Sequence, residues 1–398
     1  MTNKQIEKLD ANWVMNRKSR HHGLEPIRQA LKDIQNPQNN LKIIHVAGTN
    51  GKGSTVNYCK DILVSLGFQV GTFTSPHLEE HYDRIRINGK WIAENRFNTY
   101  LNDLFEIIEK YDLGMFEIAL LIALVYFNDE KVDYVLLEVG VGGRLDNTNV
   151  IENPVLEIIT SIGLDHMRIL GNRYQQIAYE KAGIIKKRST VVVSGRVNDT
   201  AKRIIQCVAH EKQANCIFSF YQKRSSHTFE VFNTTYEIQG GSYQKRNAAL
   251  ALYAIHALGF DVTNDVVKEA VYQSKWLGRF EKISDEPLVY VDGAHNVEGM
   301  MACVEAMKEV SDHWIGVFAA LKDKQTEEMY QILQEACEEV IICEFDNHRI
   351  QHIEEYDKQA MKIKDYKEAI DCAIKKDKSV IITGSLYFVS LVRKYLYE

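Results

Sequence analysis

The chain has 398 residues, 45% hydrophobic and 26% charged, which is ordinary for a globular protein and long enough for two domains. Its net charge of −6 argues against a general nucleic-acid binder and against a polybasic membrane anchor. The seven cysteines are scattered with no Cys-x-x-Cys pair, as expected of buried thiols in a reducing compartment.

The N-terminal stretch "MTNKQIEKLD" lacks the apolar centre of a signal peptide. The longest apolar run, "MFEIALLIALVYF", is shorter than the roughly 20 residues a membrane-spanning helix needs, and Glu117 interrupts it. We therefore expect a soluble cytoplasmic protein, monomeric, with no membrane or nucleic-acid partner.

Strands and helices alternate from residue 41 onward. "LKIIHVAG" predicts a strand, "STVNYCKDILVSLG" a helix closed by Gly67, and "FQVGTFTS" a second strand. "FNTYLNDLFEIIEKY" and "MFEIALLIALVYFNDE" carry helical spacing, and "VDYVLLEVG", "PVLEIITSIG" and "STVVVSG" predict buried strands. "CIFSFYQ", "TFEVF" and "TYEIQ" suggest short antiparallel strands decorating this domain, followed by a helix, "QKRNAALALYAIHALG". The charged, Pro-containing "EKISDEPL" reads as a linker, after which four strand–helix pairs run to the C-terminus. The expected fold is α/β: an N-terminal domain with a mostly parallel sheet over residues 1–283, which the glycine-rich stretch "HVAGTNGKGST" leads us to expect as a phosphate-loop ATPase domain, then a smaller Rossmann-like α/β domain over residues 287–398.

The stretch "HVAGTNGKGSTVNYCKDIL" fails the common phosphate-loop pattern G-x-x-x-x-G-K-[ST]: Val46 replaces the first Gly, and Gly53 stands where Ser or Thr belongs. The physical parts are nevertheless in order. A strand aims the turn, and Gly48, Gly51 and Gly53 let backbone N–H groups approach phosphate oxygens. Lys52 and a helix N-terminus supply positive charge, and Ser54 or Thr55 offers a hydroxyl for Mg²⁺.

"HVAGTNGKGST" resembles the signature of the folate-ligase branch of the Mur ligase superfamily, the folylpolyglutamate and dihydrofolate synthases. The resemblance continues in order through "GLEPIRQALKDIQNPQ", "VGTFTSPHL", "DRIRINGK", "LLEVGVGGRLDNTNV", "SIGLDHMRILGNRYQQIAYEKAGIIK", "NAALALYA", "WLGRFE", "VDGAHN" and "GSLYF". It implies Mg-ATP-dependent addition of L-glutamate to a carboxylate of dihydropteroate or a reduced folate, through an acyl phosphate. Mur peptidoglycan ligases carry a UDP-sugar-binding domain ahead of this loop, for which a loop at residue 48 leaves no room. A switch-type GTPase lacks support, because no N-K-x-D motif is present. The rival from another class is a folate- or nucleotide-binding regulator without turnover.

Residue by residue, the resemblance implies that Thr49, Asn50, Gly51, Lys52, Gly53, Ser54, Thr55, Asn247, Arg279, Asp292 and His295 bind ATP. Ser54 and Glu138 are implied for one Mg²⁺, Ser75 and His166 for a second, with Lys52, His166 and Lys181 catalytic. In Mur-type ligases a lysine placed as Lys181 can take up CO₂ as a carbamate and act as a metal ligand; otherwise it is a surface lysine paired with Glu180. Pro76, His77, Arg84, Phe116 and Ser385 are implied for folate or glutamate. Phe116 reads equally as plain core, and Arg84 and Arg86 as a solvated hairpin face. "HLEEH" does not match H-E-x-x-H, so zinc is not expected. Leu120, Val297, Met167 and Arg168 depart from residues common in relatives and leave open the choice between dihydropteroate and reduced folates.

Overall fold

The computed structural model describes residues 9–18, 23–357 and 360–397. Most of "MTNKQIEKLD" therefore lies outside the described residues. Among them, no helix is long and apolar enough to cross a membrane. The chain divides into two compact units, one of Met1–Ile162, Arg168–Phe220 and Asn247–Val271, the other of Gly163–Met167, Tyr221–Arg246 and Tyr272–Glu398.

The first unit is built on an eight-stranded sheet of β1 (Ile43–Ala47), β2 (Val70–Phe73), β3 (Ile85–Ile87), β4 (Lys90–Trp91), β5 (Tyr134–Glu138), β6 (Leu156–Ile159), β7 (Thr190–Ser194) and β8 (Asn215–Ser219). Its spatial order is β4-β3-β2-β5-β1-β6-β7-β8, parallel from β2 to β8, with β3 antiparallel to both β2 and β4 at one edge. β1 and β5 are buried at every residue, as the continuous apolar runs of a sheet covered on both faces require. The chain passes from β5 to β6 across β1, which leaves a crevice at the carboxyl end of β1, where such sheets bind ligands.

The apolar run that is too short for a membrane forms the helix Met115–Asp129, buried from Glu117 to Leu124. Each such Leu or Ile contributes about 1.5–3 kcal/mol by leaving water. Glu117 is tolerated because its carboxylate accepts the N–H of Gly114 at 2.8 Å, capping the helix from inside. Leu120 lies in this core, fully buried.

The second unit holds a three-stranded antiparallel sheet, β9 (Gln222–Lys223), β10 (Thr228–Val231) and β11 (Thr234–Glu237), with Phe229 stacked on Tyr236 at 5.6 Å. Its main sheet comprises β12 (Glu281–Asp285), β13 (Leu288–Asp292), β14 (Trp314–Phe318), β15 (Glu339–Glu344), β16 (Met361–Asp365) and β17 (Ser379–Thr383), ordered β12-β13-β17-β14-β15-β16.

Three expectations need correction. The strand in "CIFSFYQ" is not antiparallel: β8 pairs parallel with β7, because the intervening helix Asp199–Glu211 makes a crossover connection. "EKISDEPL" is not a linker: β12 pairs antiparallel with β13, Ile283 packs on the core, and Glu281 is held by Arg393 Nε at 2.9 Å. "FNTYLNDLFEIIEKY" is two helices, Glu94–Asp103 and Phe105–Lys110, divided at Leu104. The cysteines are all free; Cys59, Cys303 and Cys343 are buried, whereas Cys207 is exposed.

Candidate active site

Strand β1 runs straight into the glycine loop. Gly48 and Gly51 have φ of +154° and +85°. A Cβ on Gly48 would lie 1.9 Å from Thr160 Oγ1, and one on Gly51 would lie 2.4 Å from Asn247 Oδ1, so neither position has room for a side chain. The end of β6 ties the loop down. Thr49 N donates to Ser161 O at 2.9 Å and Asn50 N to Ser161 Oγ at 2.8 Å, while Thr160 Oγ1 donates to Asn50 O at 2.7 Å. Gly51 caps the helix Lys52–Ser65, whose first turn buries Ser54 and Thr55. The Thr55 hydroxyl is buried without a hydrogen-bond partner among the described residues.

Lys52 folds back over the loop, its Nζ donating to Gly48 O at 3.1 Å and Thr49 O at 3.3 Å. Lys181, on the helix Tyr174–Ala182, donates to the same Gly48 oxygen at 2.9 Å and is only 4% exposed. The surface-lysine reading of Lys181 therefore fails; it is Arg144 that holds Glu180, at 2.9 Å. Glu138 ends β5 opposite Val46 of β1, buried at the carboxyl edge, and accepts Ser75 N at 3.2 Å. A carboxylate and hydroxyls beside a tight loop are the hard oxygen donors that suit Mg²⁺, so these residues fit a divalent cation.

The "TSPHL" loop follows β2. The Asp83 carboxylate accepts Leu78 N at 2.8 Å and Glu79 N at 2.7 Å, and Arg86 Nε donates to Asp83 O at 2.6 Å. Arg84 is buried, with Nη2 donating to His77 Nδ1 at 3.0 Å, so it is no solvated hairpin face. Burial, and then the Arg84 charge, push His77 down to about 4. Phe116 is partly exposed, its ring 5.4 Å from Phe73 and its Cζ 3.0 Å from where a Gly140 Cβ would stand. Pro76 joins Ser75 through a cis peptide.

Within the second unit, Asp292 ends β13 and is 3% exposed. Its Oδ2 accepts Tyr243 OH at 2.7 Å and Phe280 N at 2.8 Å. Burial raises the Asp292 carboxyl, opposed by the Arg279 charge. Arg279 Nη1 and His295 Nδ1 both bond Gly293 O at 2.9 Å. Ser385 is buried after β17, whose Thr383 pairs with Asp292. His166 belongs to this unit, in a turn with φ +50°. Beside it the buried Asp165 receives Lys324 Nζ at 2.5 Å and Asn296 Nδ2 at 3.1 Å. Burial alone would raise Asp165, but His295 and Lys324 hold it below the usual carboxylate range. Burial and Lys324 push His295 itself down to about 4, so at neutral pH Lys324 is the working counter-charge.

The structure thus gathers Thr49–Thr55, Ser75, Glu138, Lys181 and Asn247 in the first unit, and His166, Arg279, Asp292, His295 and Ser385 in the second. Sequence reasoning missed Thr160, Ser161, Tyr243, Asn296 and Lys324. Lys324 sits in "LKDKQTEE", where nothing separates it from a solvated lysine. Val297 opens the helix Val297–Lys308, a first position where a relative's Pro would also fit.

The chain matches the Mur ligase middle domain over residues 46–264 and the Mur ligase glutamate ligase domain over residues 278–386. It is 34% identical to the dihydrofolate synthase/folylpolyglutamate synthase of Bacillus subtilis, across 94% of this chain and 95% of that one. It is 32% identical to the folylpolyglutamate synthase of Lacticaseibacillus casei, across 92% of each. The bifunctional folylpolyglutamate synthase/dihydrofolate synthase of Yersinia pestis, solved with AMPPNP and Mn ion, superposes with a TM-score of 0.89 at 27% identity, covering 97% of each chain. The chain belongs to the Mur ligase family and, within it, to the folylpolyglutamate synthase/dihydrofolate synthase branch.

Proposed function

We propose that this protein joins L-glutamate to the carboxylate of dihydropteroate or a reduced folate at the expense of ATP. The observation that supports this most is the glycine loop itself: a cradle closed to side chains, with Lys52 and Lys181 converging on one carbonyl oxygen. A free carboxylate is a poor acceptor for an amine. Attack of its oxygen on the γ-phosphorus releases ADP and makes an acyl phosphate; the glutamate amine then attacks the acyl carbon and phosphate leaves.

Two anions must meet in the first step, so the site needs cations and dipoles. The loop N–H groups and Lys52 bind the phosphates, with Asn247, Arg279, Asp292 and His295 holding the rest of ATP. Ser54 and Glu138 would hold one Mg²⁺, and Ser75 with His166 a second; bound there, the metal screens the charge of the two reacting anions. Lys181 carries CO₂ as a carbamate, which turns a cation into a metal-ligating anion. Its nitrogen keeps one N–H, so the bond to Gly48 O survives. Pro76, His77, Arg84 and Phe116 line the folate side and Ser385 the glutamate side. Residues up to 283 serve the folate and most of the nucleotide, and residues from 287 serve the glutamate and, through Asp292 and His295, part of the nucleotide. We place the reaction in the cytoplasm, consistent with seven free cysteines, with a monomer as the working unit.

The test is to mix the protein with Mg-ATP, L-glutamate and either dihydropteroate or tetrahydrofolate. Phosphate release and glutamylated product are then measured by mass spectrometry. Product from at least one acceptor supports the reading, and which acceptor reacts fixes the substrate. Binding without product from either would instead support a regulatory binding protein.

A further inference from the structure

We propose that Lys324 is a positioning residue for His166, acting through Asp165. The inference rests on the reading of His166 as a metal ligand.

His166 adopts φ +50°, a left-handed conformation that a side-chain-bearing residue keeps only where its surroundings impose it. Here the surroundings are specific. Asp165 Oδ1 accepts the His166 backbone N–H at 2.8 Å, so the carboxylate grips the strained peptide directly. That carboxylate is 8% exposed, and a buried carboxylate needs both donors and a counter-charge. Lys324 supplies the charge from 2.5 Å, with its side chain 10% exposed, so its ammonium is committed to Asp165. Asn296 donates to the other oxygen at 3.1 Å and is itself fixed, because its Oδ1 accepts Gly299 N at 2.8 Å as a helix cap. One residue earlier, Leu164 N donates to Glu298 Oε1 at 3.2 Å. The turn is therefore held at Leu164 N, at the Asp165 carboxylate and at His166 N.

Of these holds, Lys324 contributes the only lysine or arginine charge within ion-pair distance of Asp165 among the described residues. Without it the Asp165 carboxylate keeps only its N–H donors and the His295 ring, whose Nε2 lies 3.7 Å away, and gains by turning toward water. That movement releases the His166 N–H and with it the left-handed turn. The imidazole then samples many positions, and a ligand that must be found from an ensemble binds metal more weakly. Groups that orient a metal ligand are commonly worth about 10- to 100-fold in affinity.

The test titrates Mn²⁺ into the full-length protein with a non-hydrolysable ATP analogue, followed by electron paramagnetic resonance, alongside steady-state kinetics and thermal melting. Lys324→Met is expected to weaken the weaker Mn²⁺ site about tenfold while the KM for glutamate stays within twofold. Lys324→Arg, which keeps the charge, should retain affinity within about threefold; if Lys324→Met fails to fold, Lys324→Gln replaces it. Unchanged Mn²⁺ binding in Lys324→Met with a raised KM for glutamate or folate would overturn the proposal and make Lys324 a substrate contact. His166→Ala separates the two levels. If it weakens Mn²⁺ and Lys324→Met does not, only the positioning role is lost. If His166→Ala changes nothing, the ligand reading falls and the positioning role falls with it.

Discussion

Lys52 and Lys181 donate to the same oxygen, the Gly48 carbonyl, at 3.1 and 2.9 Å. Their ammonium nitrogens are therefore no more than about 6 Å apart, in a site where Lys181 is buried. At an effective dielectric near 20, two cations at that distance repel by roughly 3 kcal/mol. A carbamate on Lys181 reverses the sign and turns the pair into an attraction. Bicarbonate should accordingly raise the melting temperature of the wild-type protein by a few degrees. Lys181→Met should melt no lower than the CO₂-depleted wild type, should not respond to bicarbonate, and should have almost no activity. An equal bicarbonate response in both proteins would remove the carbamate from the account. Acetate restoring part of the activity of Lys181→Ala would strengthen it.

Gly51 makes a sharper demand on the loop. With φ +85° and a would-be Cβ 2.4 Å from Asn247 Oδ1, Gly51→Ala must displace either the loop or Asn247. We expect the affinity for ATP to fall at least tenfold, as read by calorimetry. The melting temperature should fall as well, and Asn247→Ala in the same background should recover part of that fall by clearing the clash, even though it removes a group proposed to hold ATP. No recovery would mean that backbone conformation, rather than contact with Asn247, sets the requirement.

Much of this was legible in the sequence because its causes are local. β1 and β5 are short apolar runs ending at Gly48 and Glu138, and a strand, a glycine turn and a helix in that order already describe a phosphate cradle. What escaped depends on partners far along the chain. Thr160 and Ser161 hold the loop from more than a hundred residues away, and Lys324 meets Asp165 across a similar interval. Arg84 stayed open in the sequence between a glutamate contact and a hairpin surface, and only the fold buries it against His77. β12 looked like a linker because its charged residues are ordinary in exposed segments; the Gly278 N–H and, from far along the chain, Arg393 hold Glu281 in place.

That last pair yields a stability prediction. Glu281 accepts Arg393 Nε at 2.9 Å and Gly278 N at 2.6 Å, with both pair members mostly buried. Removing one partner leaves the other charge poorly solvated, which should destabilise the second unit by about 1–3 kcal/mol. Arg393→Met should therefore lower the urea midpoint of the second unit's unfolding. The double variant with Glu281→Gln should regain part of the loss. A strictly additive double variant would show that the two side chains do not act as a pair.

His81 supplies a pH dependence whose sign can be fixed. Its ring is 2% exposed, packed 6.0 Å from the Phe97 ring and 5.8 Å from that of His77, and neither nitrogen has a hydrogen-bond partner among the described residues. Burial, followed by the Arg84 charge, pushes it down to about 3. In the unfolded chain its pKa returns to about 6.5. The folded state thus excludes a proton that the unfolded state accepts. The stability it contributes is complete above pH 6.5 and is lost as pH falls toward 3. Between pH 6.5 and 4.5 this amounts to about 2–3 kcal/mol. Glu157 works in the opposite direction, since burial pushes its carboxyl up to about 7, so the whole-protein curve mixes the two. The difference between wild type and His81→Phe isolates the imidazole. His81→Phe should be at least as stable at pH 7.5, because it removes two unsatisfied nitrogens from an aromatic environment. Its advantage should widen steadily as the pH is lowered to 4.5, as measured by urea unfolding at each pH. An advantage that stays constant with pH would show that His81 is protonated to the same extent in both states, and that its nitrogens find partners.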